Sequence, residues 1–211
     1  MTANFLSGEH DRLENAIKRL QEPGKVDERH RENALCTLAS LRAYREVFEQ
    51  LQHAGWMFFG FESLRNNIDK VAEKLPSFSN VQAPVINDVS DALKLSTVWP
   101  LLQFVLKQLL SNAAAAAEQA GGEVTVSAEI ETNTKTRYCR ICVTNPGTLP
   151  ETMRNSILQG LPVLRPDGQY GIGLLVAGEL LTVLSGNLQY PKTDPKDRIV
   201  QAAAVLTLDG D

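Results

Sequence analysis

Histidine and cysteine are scarce in this chain, three of each among 211 residues, and that scarcity removes several kinds of chemistry at once. Three cysteines cannot all pair with one another, so no disulfide framework is expected, and the reducing cytosol is the simplest compartment. Cys139 and Cys142 form a CxxC within "RYCRICVT", but that stretch alternates like a strand. Residues three apart on a strand point to opposite faces, so the pair is read as ordinary strand residues rather than as a metal or redox site. Basic charge is not in excess either: 21 Lys and Arg stand against 25 Asp and Glu. The resulting net charge of −4 provides no general pull towards nucleic acid or anionic lipid. No run approaches about 18 apolar residues, so no membrane span is expected. The opening "MTANFLSGEHDRLENA" has neither the basic start nor the apolar stretch of a secretory signal, and a cytoplasmic location follows as the expectation. No internal repeat is present.

The patterning that remains divides the chain at about residue 54. Over 9–22, Leu13, Ile17 and Leu20 recur at helical spacing until Pro23-Gly24 ends the run. Over about 26–54, Leu35, Leu38, Leu41, Tyr44, Phe48 and Leu51 step by three and four in a heptad-like stripe. Two amphipathic helices joined by a short turn form an antiparallel hairpin. Such a hairpin buries its stripes poorly by itself. It is completed either by a second copy, as a dimeric four-helix bundle, or by packing on its own domain.

From 55 to 211 the pattern changes to strands interleaved with helices. "WMFFGF", "VQAPVIND", "EVTVSAEIET", "TRYCRICVT", "NLQYP" and "IVQAAAVLTL" read as strands, the third and fourth as a hairpin. "ESLRNNIDKVAEKL" reads as a helix. A longer one covers "VWPLLQFVLKQLLSNAAAAAEQA", with Pro100 suiting its first turn and Gly121-Gly122 its stop. The alanine run 113–117 belongs to that helix, alanine having the best helix propensity. "QYGIGLLVAGELLTVLSG" reads as a loop entering a helix that ends at Gly186. The expected fold is α+β: an N-terminal antiparallel helical hairpin, then a two-layer α/β sandwich on a mixed, mostly antiparallel sheet.

Four stretches carry residues that such a fold does not itself require. An Asn at 112, within "LLSNAAAAA", is neutral to unfavourable inside a helix and asks for a reason. "VTNPGTLPE" places Asn145 before Gly147, which is also simply a good turn. "DGQYGIGLLVAGELL" sets Gly171 and Gly173 just before a helix, and "LSGNLQY" follows it. Glycines leading into a helix N-terminus make an anion site, because backbone N–H groups and the helix dipole both favour negative charge.

In this order, the four stretches resemble the nucleotide-binding half of sensor histidine kinases and, more broadly, the gyrase/Hsp90/histidine-kinase/MutL ATPase superfamily. The resemblance covers about 55–211, and the hairpin of 1–54 sits where these kinases carry their dimerisation and phosphoacceptor helices. It implies that ATP and Mg²⁺ are bound and that a phosphoryl group passes through a His to a response-regulator receiver domain. It also implies homodimerisation through the hairpin. Asn112 then matches the residue that coordinates Mg²⁺ bridging the phosphates, an oxygen ligand for a hard cation. Asn145 matches the acceptor for the adenine amino group, with Gly147 letting the backbone pass close to the base. Arg165, Gly171 and Gly173 match the phosphate-binding lid and glycine box. On the residues alone, Asn112 also reads as a surface or hydrogen-bonded core amide.

The pattern is departed from in several places. Gln108, one turn before Asn112, stands where gyrase-like members have a general-base Glu, and an amide cannot take that proton. Asn145 replaces an Asp, Gln169 replaces the first glycine of the last box, and Leu158 and Leu161 replace the lid aromatics. His10, followed by Asp11, is the phosphoacceptor candidate, since a nucleophilic ring nitrogen needs an acid nearby to handle its proton. A lone helical His is also commonly solvated or structural. Three functions stay open at this level: a histidine-kinase-like enzyme, a stand-alone histidine phosphotransferase with a decayed ATP site, and a non-catalytic dimeric adaptor.

Overall fold

The computed structural model describes Arg45 and residues 59–79, 82–133, 136–158, 163–164, 170–194 and 198–208. The hairpin expected over 1–54, the boundary after it, His10 and the proposed dimer contact therefore lie outside the described residues, apart from Arg45, which is helical and exposed. What is described is an α+β domain whose helices cover one face of a mixed sheet.

The chain runs β1 (Phe59–Ser63), α1 (Leu64–Ser79), β2 (Val85–Asn87), β3 (Lys94–Val98), α2 (Trp99–Ala120), β4 (Val124–Asn133) and β5 (Thr136–Pro146). It continues through α3 (Glu151–Leu158), β6 (Val163–Leu164), β7 (Tyr170–Gly171), α4 (Gly173–Val183), β8 (Gly186–Asp194) and β9 (Ile199–Leu208). The main sheet has the order β2-β4-β5-β9-β8. Its β2–β4 pair is parallel and the others are antiparallel. β1 and β3 form a separate antiparallel pair, and β6 and β7 another.

Alternation along β5 shows which face carries the helices. Cys139, Ile141, Val143 and Asn145 are buried on one side, and their partners Leu206, Ala204, Ala202 and Val200 in β9 share that side. The apolar residues there join one core with Leu64 and Ile68 of α1, Leu102, Val105 and Leu109 of α2, and Val176, Ala177 and Leu181 of α4. Burial of this continuous apolar surface is what holds the two layers together. The CxxC falls as its spacing requires: Cys139 points into the core and Cys142 to the opposite face, both as free thiols. Burial pushes the Cys139 thiol up to about 12, and the Cys142 thiol is also raised by burial, so neither is a ready thiolate.

On the other face of the sheet, Arg140 stands in for a covering helix. Its guanidinium bonds both carboxylate oxygens of Glu131 in β4 and donates from Nη1 to the Gln189 Oε1 in β8. Reaching from β5 to β8, the side chain crosses β9 between Ala203 and Val205, the register partners of Gln189 and Arg140. Both are almost fully buried. The aliphatic stem of an arginine covers such small apolar residues while its head stays wet.

α2 is the central helix. Pro100 occupies its first turn, where a missing N–H costs nothing, and Gly121 ends it at φ +70°. The Gly121 and Gly122 N–H groups then close on the Glu118 and Ala117 carbonyls at 3.2 and 2.9 Å. Five features differ from the sequence reading. The first strand is shifted to 59–63, and α1 extends through Pro76 to Ser79. Lys94–Val98 is a strand that runs directly into α2, where no strand was expected. Glu151–Leu158 is a helix between the turn of Asn145 and the segment read as lid, where no element was expected. α4 stops at Val183, short of Gly186, and Ser185 takes the left-handed conformation (φ 56°). Gly186 has a different reason to be glycine: a Cβ there would sit on the Val205 carbonyl oxygen and 3.1 Å from Leu206 Cδ2.

Candidate functional site

Asn112 lies two-thirds of the way along α2, half-buried, between buried Leu109, Leu110 and Ala113. Two contacts bracket it along the chain, one made by α2 and one just past its end. One turn earlier, Gln108 rests on Gly173, the first residue of α4. A Cβ at 173 would lie 2.9 Å from Gln108 Cδ and closer still to its Oε1. Ten residues later, Gly122 rests on Pro146, where a Cβ would come within 2.6 Å of the proline Cγ. Asn112 thus stands between the start of α4 on one side and the turn that follows Asn145 on the other.

Asn145 is almost fully buried near the end of β5, on the helix-facing side. Its Nδ2 donates to the Pro146 carbonyl at 2.8 Å. This commits the amide nitrogen and leaves Oδ1 as the acceptor the side chain offers. Gly147 has φ +132°, a conformation open to glycine, and its N–H donates to the Arg198 carbonyl at 2.7 Å. The turn is therefore pinned from β5 through Gly147 to the entrance of β9, where Asn145 pairs Val200 and Pro146 pairs Ile199.

Gly171 belongs to β7, paired with Val163, and Gly173 opens α4 after buried Ile172. Its N-cap residue, Ile172, makes no side-chain cap bond, and the first N–H groups of a helix are donors of the kind that an anion satisfies. Gly173 has a packing role as well, since any larger residue would meet Gln108. Arg165, Gly168 and Gln169 lie outside the described residues, as does His10.

The donor chemistry suits a metal carried by its ligand rather than one held by the protein alone. Asn112 and Asn145 are neutral amides, and among the described residues no group of three His, Cys, Asp or Glu side chains is placed to hold a metal ion. An amide oxygen at 112 fits a hard cation whose remaining ligands come from phosphates and water.

One polar network was not legible from the sequence. Asn67, fully buried in α1, donates to Glu62 Oε2 (3.1 Å) and the Ser63 carbonyl (3.0 Å) and accepts from Gln103 Nε2 at 2.7 Å. It ties the β1–α1 turn to α2, the same helix that carries Gln108 and Asn112. Its only sequence signal was a polar residue on the apolar side of α1, beside Leu64, Ile68 and Val71.

This arrangement of layers and strand order defines a class: the described domain has the fold of histidine kinase catalytic domains. Among solved structures, the chain is similar to the histidine kinase AdeS of Acinetobacter baumannii, at 14% identity and a TM-score of 0.53, with 97% of this chain and 95% of that one covered. It is likewise similar to the mycobacterial sensor histidine kinase MprB, at 15% identity and a TM-score of 0.52, with 72% of this chain and 99% of that one covered. No family model matches the sequence, and no curated protein sequence does. Among the described residues, no helix is long and apolar enough to cross a membrane.

Proposed function

We propose that this chain is a histidine-kinase-like protein of two-component signalling, which binds MgATP between α2, α4 and the end of β5. Asn112 would ligate the Mg²⁺ that the triphosphate brings, and Asn145 Oδ1 would accept from the adenine amino group. Gly171, Gly173 and the uncapped start of α4 would receive phosphate oxygens together with Arg165. With Gln108 in place of a carboxylate, the site lacks the base that would activate water one turn from Asn112. Its phosphoryl group is therefore directed to another nucleophile, His10, and from there to a response-regulator receiver domain. Phosphoryl transfer of this kind needs positioning and charge neutralisation more than covalent help from the protein. The hairpin would supply both His10 and the contact between two copies.

What supports this reading is that Gln108, one turn before Asn112, packs on Gly173 at the start of α4, while Gly122, just past the end of α2, packs on Pro146 beside Asn145. Incubation with γ-labelled ATP and Mg²⁺ tests it. The wild-type chain is expected to take up an acid-labile label, and His10→Ala to lose it. An unlabelled wild-type protein contradicts the transfer.

A second reading is favoured by the same geometry. Gln108 occupies space between α2 and α4. A domain with a closed nucleotide site would act as a histidine phosphotransferase, accepting phosphate from a phosphorylated receiver domain. That outcome is recognised by label arriving from the receiver and none from ATP. Failure of both routes leaves the dimeric adaptor.

A further inference from the structure

Gln108 lies at a close approach between the helix of Asn112 and the glycine-bearing entrance of α4. Its carboxamide rests on the α-carbon face of Gly173: a Cβ there would be 3.5 Å from Gln108 Cγ, 2.9 Å from Cδ and closer to Oε1. The space between the two helices is therefore filled at this level by the end of the Gln108 side chain, its Oε1 foremost. Gln108 and Asn112 lie one turn apart on the same stripe, so whatever sets the gap at 108 also sets the reach from Asn112 to the start of α4. Packed elements transmit such a spacing, because interiors are dense and yield little.

We infer that Gln108 is a positioning residue for the phosphate end of the site, its carboxamide acting as the spacer that holds the start of α4 at the distance from Asn112 that a Mg²⁺-bridged triphosphate spans. The inference rests on the MgATP reading above. An amide suits this task better than the residues of similar length. It fills the gap as a carboxylate would, without placing a second negative charge beside an anion seat. The absence of a side chain at 173 is then half of a matched pair rather than flexibility for its own sake.

The experiment is a double-mutant cycle on the full chain with Gln108→Ala, Gly173→Ala and the combination, read by thermal melting and by MgATP calorimetry. A methyl group at 173 forces the spacer outward, so Gly173→Ala is expected to lower the melting temperature and weaken MgATP about tenfold. In the Gln108→Ala background the methyl has room, so most of both losses is expected to disappear. Gln108→Ala alone keeps the fold and weakens MgATP several-fold as the gap relaxes. If Gly173→Ala alone does not fold, folding of the double variant shows the coupling, and the affinity of Gln108→Ala decides the positioning role.

Additive effects in both readouts overturn the inference. Coupled melting with additive or unchanged affinities also overturns it, and leaves a packing contact only. In either case a wild-type chain that binds MgATP keeps the functional reading intact. A wild-type chain that binds no MgATP removes that reading, and with it the positioning role, whatever the melts show.

Discussion

At the scale of single residues, Ser185 and Asn67 show how much one position contributes. Ser185 holds φ 56° after α4, a region that costs a residue with a Cβ roughly 1 kcal/mol. Ser185→Gly is expected to raise stability by about 0.5 kcal/mol after glycine's greater unfolded-state entropy is set against that relief, read as a small upward shift of the melting temperature. A drop in that temperature would mean that the hydroxyl has a role of its own. Asn67 is the opposite case, because all of its polar atoms are bonded inside the domain. Truncating Asn67 to Ala leaves the Gln103 amide without its acceptor and Glu62 without its donor, and is expected to cost about 1–3 kcal/mol in urea denaturation. Asn112 and Gly173 were legible as odd residues because a helix interior and a helix start each disfavour them. The contact of Gln108 with Gly173 was not legible, since it depends on how two helices distant in sequence come to pack.

At the scale of elements, α2 could be read in full because three signals agree: an apolar run, Pro100 at its start and Gly121 at its end. β3 could not. Its five residues alternate Leu95 and Thr97 inward, yet they lead without a break into α2, so no turn marks the boundary. α3 was hidden for another reason: "ETMRNSIL" has too few apolar residues to show a helical period. The strand face opposite the helices gives the element-level prediction. The bidentate bond from Arg140 holds the Glu131 carboxyl below its ordinary range. A carboxylate depressed in the folded state contributes stability that is complete above its unfolded value and is lost as pH falls through its folded value. Melting temperature followed downward through the acid range is therefore expected to fall slightly less steeply for Glu131→Gln than for the wild type. The difference should shrink in high salt, because Glu131 is substantially exposed and its charge is screened. Equal slopes at low salt would show the pair to be energetically silent.

At the scale of the whole molecule, composition gave no reason to expect nucleic acid, a membrane span or a disulfide framework, while the order of motifs pointed to a kinase-like domain. The fold agrees with that order. A polar residue in the central helix, an amide at the end of the central strand and glycines at the entrance to the last helix belong to separate parts of the chain, and the core assembles them around one helix. The central claim is that these parts form a seat for a metal-bridged triphosphate. Calorimetric titration of the full chain with MgATP, for wild type and Asn112→Ala, tests it most directly. Binding in the micromolar to millimolar range that requires Mg²⁺ and weakens at least about tenfold in Asn112→Ala is the predicted result. A wild-type protein that gives no heat at millimolar MgATP, or an Asn112→Ala variant that binds as well as the wild type, would contradict it.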